Sequence, residues 1–170
     1  MRILVLTHEY PPIGGGGGRV AEDLCVGLAA RGHEMRVLTA HYRTLALEER
    51  RDGVIIQRLT SNRRLPYEAG FGTMARYVWR AVTEGRRLID SWLPDVIHVH
   101  FAVPAGAAAY LLRRMTGTPY LLTAHLGDVP GGVPEKTDRW FRWVFPFTPA
   151  IWHSAARVVA VSQFTSQLAS

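Results

Sequence analysis

The sequence predicts an α/β fold: a Rossmann-like, doubly wound parallel sheet with helices on both faces. Three observations carry that prediction. Short apolar runs, long enough for buried strands and too short for helices, alternate with stretches whose apolar residues keep helical spacing. Glycine and proline punctuate the joins between them. And the first run, Arg2 to Thr7, empties through His8-Glu9-Tyr10-Pro11-Pro12 into five consecutive glycines, Gly14 to Gly18, before a helical pattern opens at Arg19.

The elements follow in order. Strand one is Arg2-Ile3-Leu4-Val5-Leu6-Thr7, stopped by two prolines that fix φ and remove backbone donors. From Arg19 to Arg31 the residues Val20, Leu24 and Leu28 form one apolar stripe, and Gly32 ends the helix at C′. Met35 to Thr39 is the second strand, so the first forty residues make a βαβ unit with a right-handed crossover. Thr44 to Asp52 is charged and lacks a core face; it reads as a loop or short surface helix. Val54 to Leu59 is the third strand, and a long helix spans Phe71 to Trp92 until Leu93-Pro94-Asp95 stops it. Val96 to His100 is the fourth strand, Ala102 to Thr116 an alanine-rich helix ended by Gly117, and Pro119 to Ala124 the fifth strand. An aromatic, helix-like segment runs from Asp138 to His153. Arg157 to Val161 is the sixth strand, and Ser162 caps a helix continuing to Ser170. Residues 1–170 show no repeat, low-complexity tract or internal domain boundary.

A strand, a glycine loop and a helix N-terminus together suit an anion, because the backbone can approach closely and the helix end offers unpaired N–H groups. The loop spells neither nucleotide fingerprint. Five glycines satisfy almost any glycine pattern, and Arg19-Val20 stands where a P-loop needs Lys-Ser/Thr. A nicotinamide dinucleotide site is disfavoured too, since Ala40-His41-Tyr42 follows the second strand without the acidic residue that grips ribose. In doubly wound sheets ligands sit outside the carboxyl ends of the strands. That rule sets His8 with the glycines, His98-His100, His125-Asp128 and Ser162 along one rim.

Composition bounds the rest. At 170 residues, 48% apolar and 20% charged, the chain is one globular domain with room for a core. The single cysteine, Cys25, excludes an internal disulfide and reads as a small core residue. Net charge is +6, carried by scattered arginines with Lys136 the lone lysine. Such a surface suits phosphorylated substrates or anionic headgroups, and no motif accompanies it that would point to nucleic acid. No apolar run reaches the ~20 residues of a membrane span. The start has no signal-peptide layout, so a cytoplasmic protein is expected, with contact at the inner face of the membrane left open. Trp140, Phe141, Trp143, Phe145, Phe147 and Trp152, interleaved with Arg139 and Arg142, suit either core packing or a lipid interface.

An ordered set of short motifs resembles the N-terminal domain of retaining glycosyltransferases of family 4, which have the GT-B fold. The set is Tyr10-Pro11-Pro12 with Gly15-Gly16, Arg31-Gly32-His33-Glu34, Asp95 to His100, Pro104-Ala105-Gly106, Thr123-Ala124-His125 with Asp128, and Val161-Ser162-Gln163-Phe164. It covers essentially the whole chain. The resemblance implies one half of a GT-B architecture, the acceptor-side domain, with the donor-binding domain absent from these 170 residues. The chain alone is then expected to be inactive.

The resemblance also implies roles. Gly15 and Gly16 take the family's paired glycines, near the donor diphosphate, and Gly17 and Gly18 are left as variable loop. His125 matches the family histidine that contacts the donor sugar near the reacting carbon, a catalytic role of orientation and stabilisation. Tyr10, His100, Asp128 and Ser162 fall on the acceptor side. The implied partners are a nucleotide-sugar donor and a sugar or lipid acceptor, with no metal, no cofactor and no nucleic acid. From the residues alone, His98 and His100 also read as hydrogen-bonded core histidines, and Asp128 as an Asx turn. The competing class is a stand-alone, non-catalytic Rossmann-like binding or regulatory domain.

Overall fold

The computed structural model describes residues 1–63, 65, 70–128, 148–163 and 165. In chain order the elements are β1 (Arg2–Leu6), α1 (Gly16–Ala30), β2 (Glu34–Ala40), β3 (Glu48–Arg51), β4 (Val54–Leu59), α2 (Phe71–Trp92), β5 (Val96–His100), α3 (Ala107–Thr116), β6 (Tyr120–Ala124), α4 (Thr148–Ser154) and β7 (Arg157–Ala160). Seven strands form one sheet in the order β3-β4-β2-β1-β5-β6-β7. All neighbours are parallel except β3 and β4.

Period-two alternation divides the apolar residues between two cores. Leu4, Leu6, Leu38, Ile97, Val99 and Leu122 meet Ala81 and Ile89 of α2 and Leu112 of α3 on one face. Ile3, Val5, Met35, Val37, Val54 and Ile56 meet Ala21 and Cys25 of α1 on the other. Cys25 is the buried free thiol expected of a small core residue. His98 stands in register with Val5 on β1 and Leu121 on β6, so His98 and His100 share the α1 face.

The observed fold differs from the expected one in four places. Glu48–Arg51 is a strand, hydrogen-bonded antiparallel to β4 through a tight turn at Asp52 (φ 50°) and Gly53 (φ 79°). Helix α1 starts at Gly16, so three glycines stand inside its first turn. Its buried stripe is Gly18, Ala21 and Cys25, while Val20 and Leu24 are exposed. The small residues let the helix lie close: a Cβ on Gly18 would stand 3.3 Å from the Glu9 carbonyl. Finally, α3 opens at Ala107, because extended Val103 (φ −133°) and Pro104 make Ala102–Gly106 an irregular turn. Of the aromatic segment only Thr148 onward is described, as α4, and residues 138–147 lie outside the described residues.

Candidate active site at the strand ends

The chain leaves β1 toward β2 and β4, then returns through α2 to β5 on the opposite side of β1. The direction of winding therefore reverses between β1 and β5, where a crevice opens outside the strand ends. The glycine loop follows β1 and Phe101 follows β5, so both stand at that crevice.

The N-terminus of α1 points into it. Gly15 is the N-cap, no side chain caps the helix, and its first turn holds no acidic residue. Glu9 Oε2 accepts the Gly15 N–H at 3.1 Å, and the first intrahelical bond runs from Arg19 N–H to Gly15 O at 3.3 Å. The N–H groups of Gly16, Gly17 and Gly18 precede any helical partner and carry the positive end of the helix dipole. Glu9 is itself framed by His8 Nε2 at 3.6 Å and Arg63 Nη2 at 3.9 Å. Arg63 Nη1 also donates to the His8 carbonyl at 3.0 Å, tying the loop down.

Gly17 is the contact point with the histidines. A Cβ there would stand 2.3 Å from Phe101 Cζ and 3.2 Å from His125 Nδ1. No side chain fits without moving one ring. Phe101 has φ 74°, a left-handed backbone rarely adopted by a bulky residue. That conformation lays its ring flat on His125, centroids 4.3 Å apart, and edge-on to His8 at 5.1 Å. Behind His125 the imidazoles continue inward. His125 Nε2 is 3.2 Å from His100 Nδ1, and His98 Nε2 is 2.8 Å from Thr123 Oγ1.

Asp128 closes the turn after β6. Its Oδ2 accepts the His125 N–H and its Oδ1 the Ala102 N–H, each at 2.9 Å. One carboxyl thus fastens the end of β6 to the turn after β5. Burial pushes Asp128 up to about 7, against the pull of backbone donors from His125, Ala102 and Val103. Burial works on the histidines in the other direction. His98 and His125 fall to about 4, His8 to about 3 and His100 to about 2, so at neutral pH the site holds uncharged rings.

The structure brings His125, His100 and Asp128 together and sets the remaining candidates apart. Gly15 and Gly16 line the exposed loop, and a Cβ on either meets nothing within 4 Å. Neither has positive φ, so no conformational demand for glycine arises there. Tyr10 is buried in the α1-face core, where burial raises its phenol above the ordinary value. His100 has no exposed surface and stands beneath His125. Ser162 is exposed, and its Oγ accepts the Thr165 N–H at 3.1 Å as an N-cap does. Sequence reasoning missed Gly17, Phe101 and Glu9. The spacing of glycines cannot say which one a ring from β5 will touch. Among the described residues no group of His, Cys, Asp and Glu side chains is placed to hold a metal ion, and no helix is long and apolar enough to cross a membrane.

The sheet is doubly wound, and the uncapped N-terminus of the helix after β1 faces a neutral histidine at the end of β6. Residues 15–170 match the family described as the glycosyl transferase 4-like domain, and the chain belongs to it. It is 32% identical over 167 residues to glycogen synthase of Mycobacterium tuberculosis, covering 85% of this chain and 40% of that enzyme. Its fold matches sucrose-phosphate synthase from Thermosynechococcus elongatus with a TM-score of 0.74 at 20% identity, over 93% of this chain and 41% of that one. A glycosyltransferase from Rickettsia africae matches with a TM-score of 0.58 at 16% identity, over 98% of this chain and 38% of that one. The fold is that of the N-terminal domain of GT-B glycosyltransferases. The chain thus spans 40% of the length of the glycogen synthase it matches.

Proposed function

We propose that this domain is the acceptor-side half of a retaining glycosyltransferase, which moves a hexosyl group from a nucleotide sugar to a sugar or lipid acceptor. A second α/β domain carries most of the nucleotide contacts, and the 170 residues alone turn over no donor. The supporting observation is the meeting of His125 with Gly17 at the α1 N-terminus. There the free N–H groups of Gly16, Gly17 and Gly18 suit the leaving diphosphate, and a neutral imidazole suits a hydroxyl of the donor sugar. As the bond from the anomeric carbon to the diphosphate oxygen lengthens, negative charge grows beside the helix end. Gly15 and Gly16 line the donor path, while Asp128 and His100 act through the placement of His125. On this reading Tyr10 serves the core and Ser162 stays with the acceptor side. The setting is cytoplasmic, at the inner face of the membrane where the acceptor is a lipid.

The test uses the complete enzyme with uridine-, adenosine- and guanosine-diphosphate hexoses, reading product anomers by proton NMR. One donor should be consumed, with the anomeric configuration kept. His125→Ala should lower kcat about a hundredfold, the size of losing one preorganised donor. Inversion at the anomeric carbon, or no consumption of any nucleotide sugar by folded enzyme, overturns the reading. Turnover by the 170 residues alone would overturn the division of labour.

A further inference from the structure

We propose that His100 is a positioning residue that sets the tautomer of His125: its Nδ1–H donates to His125 Nε2, so that His125 carries its own proton on Nδ1, facing the glycine loop. The consequence for transfer rests on reading His125 as the sugar contact; the tautomer itself does not.

The geometry narrows the choice to two arrangements. His100 Nδ1 and His125 Nε2 are 3.2 Å apart, and both rings are buried and uncharged. A hydrogen bond between two neutral imidazoles uses one proton, and the partner nitrogen must be bare. In one arrangement His125 Nε2–H donates, and the His100 proton sits on its Nε2. In the other His100 Nδ1–H donates, and His100 Nε2 is bare. His100 Nε2 decides between them, because it is buried without a hydrogen-bond partner among the described residues. A buried N–H with no acceptor is rarer in proteins than an acceptor with no donor. The bare nitrogen is the lower-cost occupant, and the proton belongs on Nδ1.

The rest of the site agrees with that assignment. Phe101 covers one face of the His125 ring, and Asp128 holds the His125 backbone but not its imidazole. His100 is the described polar group that touches His125 Nε2. Histidine tautomers are set by the hydrogen bond that the distal nitrogen makes. With Nε2 occupied as an acceptor, the Nδ1 beside Gly17 is a donor, suited to a sugar hydroxyl oxygen rather than to taking a proton. His100 therefore decides whether His125 presents a hydrogen or a lone pair, without touching substrate.

The test is the long-range proton–nitrogen NMR spectrum of the chain labelled with nitrogen-15 histidine, at neutral pH. The wild type should show His125 protonated on Nδ1 and bare on Nε2. A His125 protonated on Nε2 overturns the assignment, and this measurement needs no variant to fold. His100→Leu removes the donor that fixes the tautomer, so the Nε2 hydrogen-bond shift of His125 should disappear and its two ring nitrogens should show averaged shifts. His100→Asn, whose amide nitrogen reaches roughly the place of Nδ1, should restore the wild-type pattern. In the complete enzyme His100→Leu should lower kcat about a hundredfold, as His125→Ala does, and the double variant should be no worse than either. Additive losses would overturn the coupling. If the tautomer is as stated and no nucleotide sugar is consumed, only the functional reading fails.

Discussion

The two faces of the sheet have the same strand alternation and opposite contents. On the α2 and α3 side, Leu4, Leu6, Ile97, Val99 and Leu122 make one unbroken apolar layer. On the α1 side the layer is apolar only beneath the helix, at Ile3, Val5, Val37 and Ile56. Past β1 it becomes His98, His100 and Thr123, all buried. Burial without apolarity demands pairing, since an unpartnered polar group costs about 1–3 kcal/mol. His98 pairs with Thr123, His100 with His125, and Asp128 with backbone N–H groups. One face is built to hold the domain together, the other to hold a few groups in place.

The strongest way to break that contrast is to damage the apolar face and look for an effect on the polar one. Leu112 of α3 is fully buried, and Leu112→Ala should cost about 3 kcal/mol in chemical denaturation. Turnover of the complete enzyme should stay within about twofold of wild type while the variant is folded. A large loss of kcat would show that the faces are not independent.

A smaller effect sharpens the contrast at the loop. Gly17→Ala must displace the Phe101 or His125 ring, and overpacking of this kind costs about 2 kcal/mol. It should also cut turnover about a hundredfold by shifting His125. Gly16→Ala meets no protein atom and should raise helix stability by about 0.5 kcal/mol. Equal damage from both would mean that the loop matters as a flexible segment and not through its contact with the rings.

The smallest effect is in pH. The four histidines of the site have folded values below the 6.5 of an ordinary histidine. Unfolding therefore takes up protons below pH 6.5, and their contribution to stability is lost as pH falls through about 4 for His98 and His125 and on toward 2 for His8 and His100. Asp128 runs the other way: its folded value is raised from 3.8 to about 7, so its contribution is present at low pH and lost as pH rises through 7. Four groups against one make the domain acid-labile. His98→Gln should flatten the fall between pH 6.5 and 5 by up to about 1.4 kcal/mol per pH unit, one proton's worth. Leu112→Ala should leave that slope unchanged.

Much of this was legible in the residues. Strands β1, β2, β4, β5, β6 and β7 announce themselves as apolar runs, and α2 spans the predicted Phe71 to Trp92. Strand β3 did not, because Glu48-Glu49-Arg50-Arg51 has no apolar period. Its signal was the Asp52-Gly53 turn, a two-residue hairpin pair that accepts positive φ at both positions. The α1 stripe was misread because Val20 and Leu24 are more apolar than the glycine and alanine that touch the sheet. Close approach selects small residues over greasy ones. The candidate site was legible as strand ends, through His125, His100 and Asp128. The choice of Gly17 depended on a ring 84 positions away, at Phe101, which only the fold brings near.

The unlike edges of the sheet bear on how the domain behaves in solution. At one edge β3 presents Glu48, Glu49, Arg50 and Arg51, a run of mixed charge that a second strand could join only by stripping water from ions. At the other, Val158 and Val159 of β7, with Val161 just beyond it, are 44%, 51% and 43% exposed. Exposed β-branched edges template the addition of foreign strands, whereas charged ones discourage it. Among the described residues, strand-to-strand association at high concentration is therefore expected at β7 ahead of β3. A single lysine at position 159 is the change expected to keep the domain dispersed.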